Sequence, residues 1–199
     1  IPIVPISLLL GVVFYYGLFK ESAALQDRIS SLLIAVGVMF FVENFMTVVW
    51  TPNPRAVVTS YGFYTLRLYG INLTLTRLIG LAIAILAMVG VFIFLKRTLI
   101  GTAVRASSED SEASTLMGIS PNRVNAVAFA IGIGLAGIAG INFAATYSFD
   151  PNYGFDVAIK ALIALTLGGI GNVGGALLGG ILLGVIESLG SFYVGMGWA

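Results

Sequence analysis

Long apolar runs without charge decide what this chain can become. Residues 78–95, "LIGLAIAILAMVGVFIFL", carry no charge, and neither do residues 124–145. A helix crossing the hydrocarbon of a bilayer needs roughly 20 mostly apolar residues. Four segments meet that requirement: residues 1–19, 29–49, 78–95 and 124–145. A fifth apolar region, residues 157–194, is longer than one span and full of glycine. Barrel strands would alternate polar and apolar at every second residue, and these runs do not. With 58% hydrophobic and 10% charged residues, the chain cannot cover a water-facing surface, for which about a quarter of the residues are usually charged. It reads as an integral membrane protein.

Other chemistry is bounded quickly. There is no cysteine and no histidine, which removes disulfides, thiol catalysis and the common zinc sites. A net charge of +1 argues neither for nor against an acidic partner, and the expectation is that nucleic acid is not one. Residues 1–19 have no basic leader and no small-residue cleavage site, so they read as a transmembrane helix rather than a signal peptide. Because the chain opens with Ile1 inside an apolar run and stops at Ala199 without a charged tail, the expectation is a single transmembrane domain, 1–199, that is an internal fragment.

The connections alternate between two sides. Residues 20–28 and 96–123 carry Lys20, Arg28, Lys96, Arg97, Arg105 and Arg123; residues 50–77 and 146–156 carry Arg55, Arg67 and Arg77. The excess of basic residues places the first side in the cytoplasm. In the opposite loop, "YTLRLYGINLTL" alternates partly around Gly70-Ile71-Asn72, which allows a short hairpin with its turn there. Asn72-Leu73-Thr74 fits a glycosylation triplet, but nothing else points to a secretory pathway.

"LGGIGNVGGALLGGILLGVIESLG" is not a nucleotide loop, since no Lys-Ser or Lys-Thr follows its glycines. Gly171, Gly175 and Gly179 recur every four residues, as do Gly180 and Gly184; Gly132, Ala136 and Gly140 form a second stripe. Such stripes let membrane helices approach closely. Gly168, Gly169 and the "GGIGNVGG" stretch predict a break between a helix over 159–167 and another over 176–189. Tight packing and a break that lines a substrate path both fit. Glu43, Asn44 and Glu187 are candidate intramembrane polar residues, although both acids lie within two turns of a span end, where a side chain can reach the interface. Asp156 and Lys160 read as interfacial.

The polar segment 102–123, "TAVRASSEDSEASTLMGISPNR", has definite helix punctuation. Ser107 reads as an N-cap with Asp110 three residues on, and Glu109, Asp110 and Glu112 crowd the first turns, where the helix dipole favours anions. Gly118 suits the position after the last turn, and Ser120-Pro121 starts the next helix. The spacing predicts a helix over 108–117, about 15 Å long, with Ala113, Leu116 and Met117 on one face. A plain structured loop and a docking element for a cytoplasmic partner both fit.

This stretch closely resembles the cytoplasmic loop of permease subunits of branched-chain amino acid ABC importers, the LivH type. The resemblance rests on Gly101, Ala103, Arg105 and Ala106, the acidic pair Glu109-Asp110, Ala113, and Leu116-Met117-Gly118-Ile119. "PNYGFDVAIKALIALTLGGIGNVGGALLGGILLGVIES" is similar to the family's glycine block, and "ISSLLIAVGVMFFVEN" to an earlier helix. The chain departs from the pattern at Asn172-Val173-Gly174, where the family usually has a proline, and it lacks the first helices and the last helix of a whole permease. The resemblance implies an all-α integral membrane protein: a polytopic helical bundle with a short cytoplasmic coupling helix and a glycine-rich broken helix, in the inner membrane. It implies a second, LivM-like permease subunit, cytoplasmic ATPase subunits and an extracytoplasmic binding protein as partners. This chain would bind no cofactor; the partners would use ATP. An ion-coupled secondary transporter is the alternative, and would need ion ligands at mid-membrane. A membrane enzyme would need a Ser–Lys or paired-carboxylate site, and a scaffold would show no uptake phenotype.

Overall fold

The computed structural model describes residues 3–21, 28–50, 53–57, 65–68, 71–151, 153–169 and 171–193. Along these residues the elements are α1 (Ile3–Phe14), a π-helical turn (Tyr15–Phe19), α2 (Arg28–Trp50), β1 (Thr65–Leu68), β2 (Ile71–Thr74), α3 (Leu75–Arg97), α4 (Leu99–Glu109), α5 (Ser111–Leu116), α6 (Pro121–Thr146), α7 (Tyr153–Gly168) and α8 (Val173–Tyr193). Four stretches are long and apolar enough to cross a membrane: Ser30–Trp50, Leu75–Arg97, Pro121–Thr146 and Gly174–Tyr193. At about 1.5 Å per residue each reaches across a hydrocarbon core of about 30 Å. Their large side chains point outward, with Leu86 70%, Phe41 70% and Val48 83% exposed. Only lipid or another protein surface can cover so much apolar area. The chain is a multi-pass helical membrane protein.

Beside the helices stands one short antiparallel hairpin, β1–β2. Its register pairs Leu68 with Ile71 and Arg67 with Asn72. Ile71 and Asn72 are therefore ladder residues, not the turn residues that the sequence suggested. Residues 69 and 70 lie outside the described residues.

The chain divides into two compact units, Ile1–Phe40 with Asn53–Asp150, and Phe41–Pro52 with Pro151–Ala199. In the first, α1 runs antiparallel along α6 through small residues. A Cβ added to Gly11 would collide with the Ala130 backbone, one on Gly134 would press on Leu8, and one on Gly137 would press on Ser7. Tyr15 and Phe19 of the π-helical turn extend the seam onto Phe129, with ring centroids 6.1 and 4.7 Å away. α3 meets α6 where the Asn142 side chain lies over Gly80.

The second stripe expected from the sequence, Gly132, Ala136 and Gly140, is not this seam. Gly132 and Gly140 face open space, and Ala136 is exposed. Gly134 and Gly137 pack instead. Each residue turns a helix by about 100°, so two interleaved glycine sets present different faces, and composition does not say which face meets α1.

In the second unit α7 and α8 form an antiparallel helical hairpin. Their backbones touch at Gly168 against Gly175, and again at Ala164 against Gly179, which is buried. Between them Gly169 and Gly171 take φ of +85° and +93°, a left-handed conformation that side chains disfavour. The break falls in the glycine block, and its flanking helices extend beyond the predicted 159–167 and 176–189. Gly171, grouped by its spacing with Gly175 and Gly179, belongs to the break and has open space beside it, as do Gly180 and Gly184; Gly168 is the actual partner of Gly175. Asn172 explains how α8 starts without the family's proline. Its Oδ1 accepts from Gly175 N–H at 3.1 Å, an N-cap bond in place of a proline's preset φ.

Gly179→Leu should therefore force α7 and α8 apart and cost about 1–3 kcal/mol or more, whereas Gly132→Leu should be tolerated. The yield and melting temperature of detergent-extracted protein check this; equal effects of the two substitutions would contradict the hairpin contact.

Candidate functional site

The polar segment between α3 and α6 is built by successive caps. Thr98, extended at φ −107° and ψ 149°, ends α3 and starts α4. Its Oγ1 donates to Phe94 O at 2.7 Å and accepts from Gly101 N–H at 3.0 Å. Gly101 is buried against the end of α3, and a Cβ there would collide with Phe94 O and Leu95 Cα. That collision is the physical reason for glycine at this position: it lets α4 fold back tightly at the corner.

α4 continues through Ser107 to Glu109, so Ser107 is not an N-cap and no helix spans 108–117. Ser108 lies within α4 and donates to Val104 O at 2.8 Å. The break comes at Asp110, extended at φ −147° and ψ 104°. Its Oδ1 accepts from Glu112 N–H at 3.0 Å and Ala113 N–H at 2.9 Å. Thr98 already starts a helix upstream, and the carboxylate of Asp110 is the capping group whose charge also suits a helix N-terminus. The short helix is thus α5, Ser111–Leu116, six residues and about 9 Å rather than about 15 Å.

Gly118 closes α5 as the sequence indicated. At φ +83° it donates to Thr115 O at 3.0 Å, and Ile119 N–H reaches Ser114 O at 3.1 Å. This pair of bonds is a Schellman motif. Ser120 and Pro121 then start α6, although the Ser120 hydroxyl makes no capping bond.

The outer surface of this segment is bare. Leu116 is 89% and Met117 83% exposed, and Ala113 beside them is exposed too. Arg105 and Glu109 are exposed, with no ion pair between them among the described residues, and Ala106 is half-buried. Ala106 O holds the last helical bond of α4, accepting from Asp110 N–H at 3.0 Å. The predicted group Gly101, Arg105, Ala106, Glu109, Asp110, Ala113, Leu116, Met117 and Gly118 is thus drawn into one corner–helix–turn, with an apolar tip and two rigid ends.

The candidate polar residues at membrane depth fall elsewhere. Glu43, half-buried on α2, has no charged partner among the described residues. Asn44 is exposed on the same helix. Glu187 on α8 forms an ion pair with Lys160 on α7, a pairing the sequence reading missed because 27 residues separate them. The observed register of the two helices brings the residues near each other. Continuing from Gly168–Gly175 and Ala164–Gly179 places Lys160 opposite Leu183, one turn from Glu187.

The family described as "Branched-chain amino acid transport system / permease component" matches residues 1–199. The chain belongs to that family. It is 33% identical over 170 residues to the high-affinity branched-chain amino acid transport system permease protein BraD of Pseudomonas aeruginosa, covering 83% of this chain and 55% of that protein. It is also 33% identical over 176 residues to LivH of Escherichia coli K12, covering 85% of this chain and 56% of the relative. A third relative is the autoinducer 2 import system permease protein LsrC of Enterobacter, 36% identical over 117 residues, 58% of this chain and 32% of that protein. The chain spans about half the length of the first two relatives. No solved structure matches.

The capping scheme makes a local prediction. Asp110→Ala should cost α5 about 1 kcal/mol and speed hydrogen exchange at the Glu112 and Ala113 amides, while Ser107→Ala should leave both unchanged. Faster exchange in the Ser107 variant alone would contradict the assignment.

Proposed function

We propose that this chain is part of the membrane-spanning permease of an ATP-driven importer for branched-chain or related amino acids, and that the segment 96–123 is its joint with a cytoplasmic ATPase. The observation that carries the reading is α5: a short helix fixed by Asp110 and by Gly118, set between two spans, with Leu116 and Met117 turned outward. A mere connection has no use for two exposed apolar side chains held rigidly in a polar loop; a groove on a partner has. Burying both would contribute about 1.5–3 kcal/mol each. The permease names of the relatives favour this reading over an ion-coupled transporter.

The reading carries its partners with it. A second permease subunit, LivM-like, completes the path. Two ATPase subunits hydrolyse the ATP, so this chain performs no catalysis of its own. An extracytoplasmic binding protein delivers the solute, and the assembly sits in the inner membrane. Arg105, exposed one turn before Glu109, serves an acidic or carbonyl partner across the joint rather than the acids of its own segment.

Two experiments test it. Leu116→Asp places a charge in the proposed contact, where an unpaired buried carboxylate costs several kcal/mol, and each 1.4 kcal/mol or so is tenfold. The variant should reach the membrane in normal amounts, lose the ATPase in pull-downs and lose uptake; retention of both would sink the joint. For sidedness, cysteines are placed singly at Glu112 and Asn53 in intact cells. An impermeant thiol reagent should label Asn53→Cys and spare Glu112→Cys, and the reverse pattern would invert the topology.

A further inference from the structure

In residues 151–199 the only charged residues are Asp156, Lys160 and Glu187, and two of them, Lys160 and Glu187, meet across the helical hairpin. Lys160 and Glu187 form the ion pair between α7 and α8. Asp156 stands one helical turn before Lys160 on the same face of α7. The side chains of the pair remain 38% and 35% exposed, so the two helices do not enclose them. On α8, Gly184 and Gly190 lie one turn to either side of Glu187, and both have open space where a side chain would stand. The carboxylate therefore has bare helix on both sides. An ion pair in an apolar hairpin costs much of what it gains, and two apolar residues of similar volume would usually hold the helices as well. Closure of the hairpin does not need it either, because Gly168–Gly175 and Ala164–Gly179 already bring the backbones into contact.

We propose that Asp156, Lys160 and Glu187 form a binding station for the charged head of a zwitterionic α-amino acid. The inference rests on the importer reading above. The substrate carboxylate pairs with Lys160 and its ammonium with Glu187 and Asp156. The ion pair opens as the zwitterion enters, each charge exchanges one partner for an equivalent one, and the charge of the hairpin does not change. In the empty state the pair closes on itself, so neither charge is left alone in the apolar hairpin. A solute without charge would have to break the pair and offer nothing in return, which makes the station selective for zwitterions.

The test uses the whole permease with its ATPase and binding protein in vesicles. The double variant K160M/E187M keeps side-chain length and removes both charges. It should reach the membrane and assemble with its ATPase in normal amounts, yet import amino acid at least about tenfold more slowly, equivalent to about 1.4 kcal/mol. Import within twofold of wild type would show a dispensable clasp and overturn the station. If that variant does not reach the membrane, Asp156→Asn decides, because Asp156 is exposed. A severalfold loss of import at unchanged protein amount supports the station, and wild-type import overturns it. Wild-type vesicles that use ATP to import an uncharged solute and no zwitterion would also overturn it while leaving the importer reading intact. Wild-type vesicles with no ATP-driven import of any solute would remove the importer reading itself.

Discussion

Helices in a bilayer gain little from hiding apolar side chains from one another, because lipid is as apolar as they are. What they gain comes from close packing, and close packing of backbones requires that side chains be absent at the crossing. Gly11 against Ala130, Gly168 against Gly175 and Gly179 against Ala164 meet that requirement in the two units. Each contact fixes a depth and a rotation at once. On the α1–α6 seam this sets which face of α6 follows the polar segment. On the α7–α8 hairpin it sets which residue of α8 lies near Lys160.

The polar segment obeys a different constraint. Outside the hydrocarbon every free helix end can be solvated, so order there has to be built from specific bonds. Thr98, Asp110 and Gly118 supply them at the three points where the chain changes direction. The result is a stiff path from the end of α3 to the start of α6. In the proposed joint, that hydrogen-bonded path is what would carry force applied at Leu116 and Met117 to two membrane helices. Such stiffness suits a joint that must carry a partner's closure into the membrane.

Much of this was legible in the sequence. The charge-free runs announced the helices, "GGIGNVGG" announced the break, and Gly118 and Pro121 announced the turn and the start of α6. Where a reading failed, two candidates had competed locally. Ser107 and Asp110 are both good caps, and the choice went to Asp110 because Thr98 had already launched α4 through Ser107. Gly132 and Gly134 both suit a crossing, and only the position of α1 separates them. Ile71 and Asn72, which the Gly70-Ile71-Asn72 signal made turn residues, pair instead with Leu68 and Arg67 in the hairpin ladder. The Lys160–Glu187 pair was hidden by distance along the chain, because the Gly168–Gly175 register that brings the two helices together is a contact of the fold.

The proposed joint seats the tip of α5 in a groove of an ATPase. A photo-reactive amino acid placed at Met117 in the whole permease, irradiated in native membranes, tests that most directly. Adducts at the mass of permease plus ATPase subunit, altered by trapping ATP, are the predicted result. Adducts with lipid alone, in membranes where ATP-driven uptake persists, would contradict it.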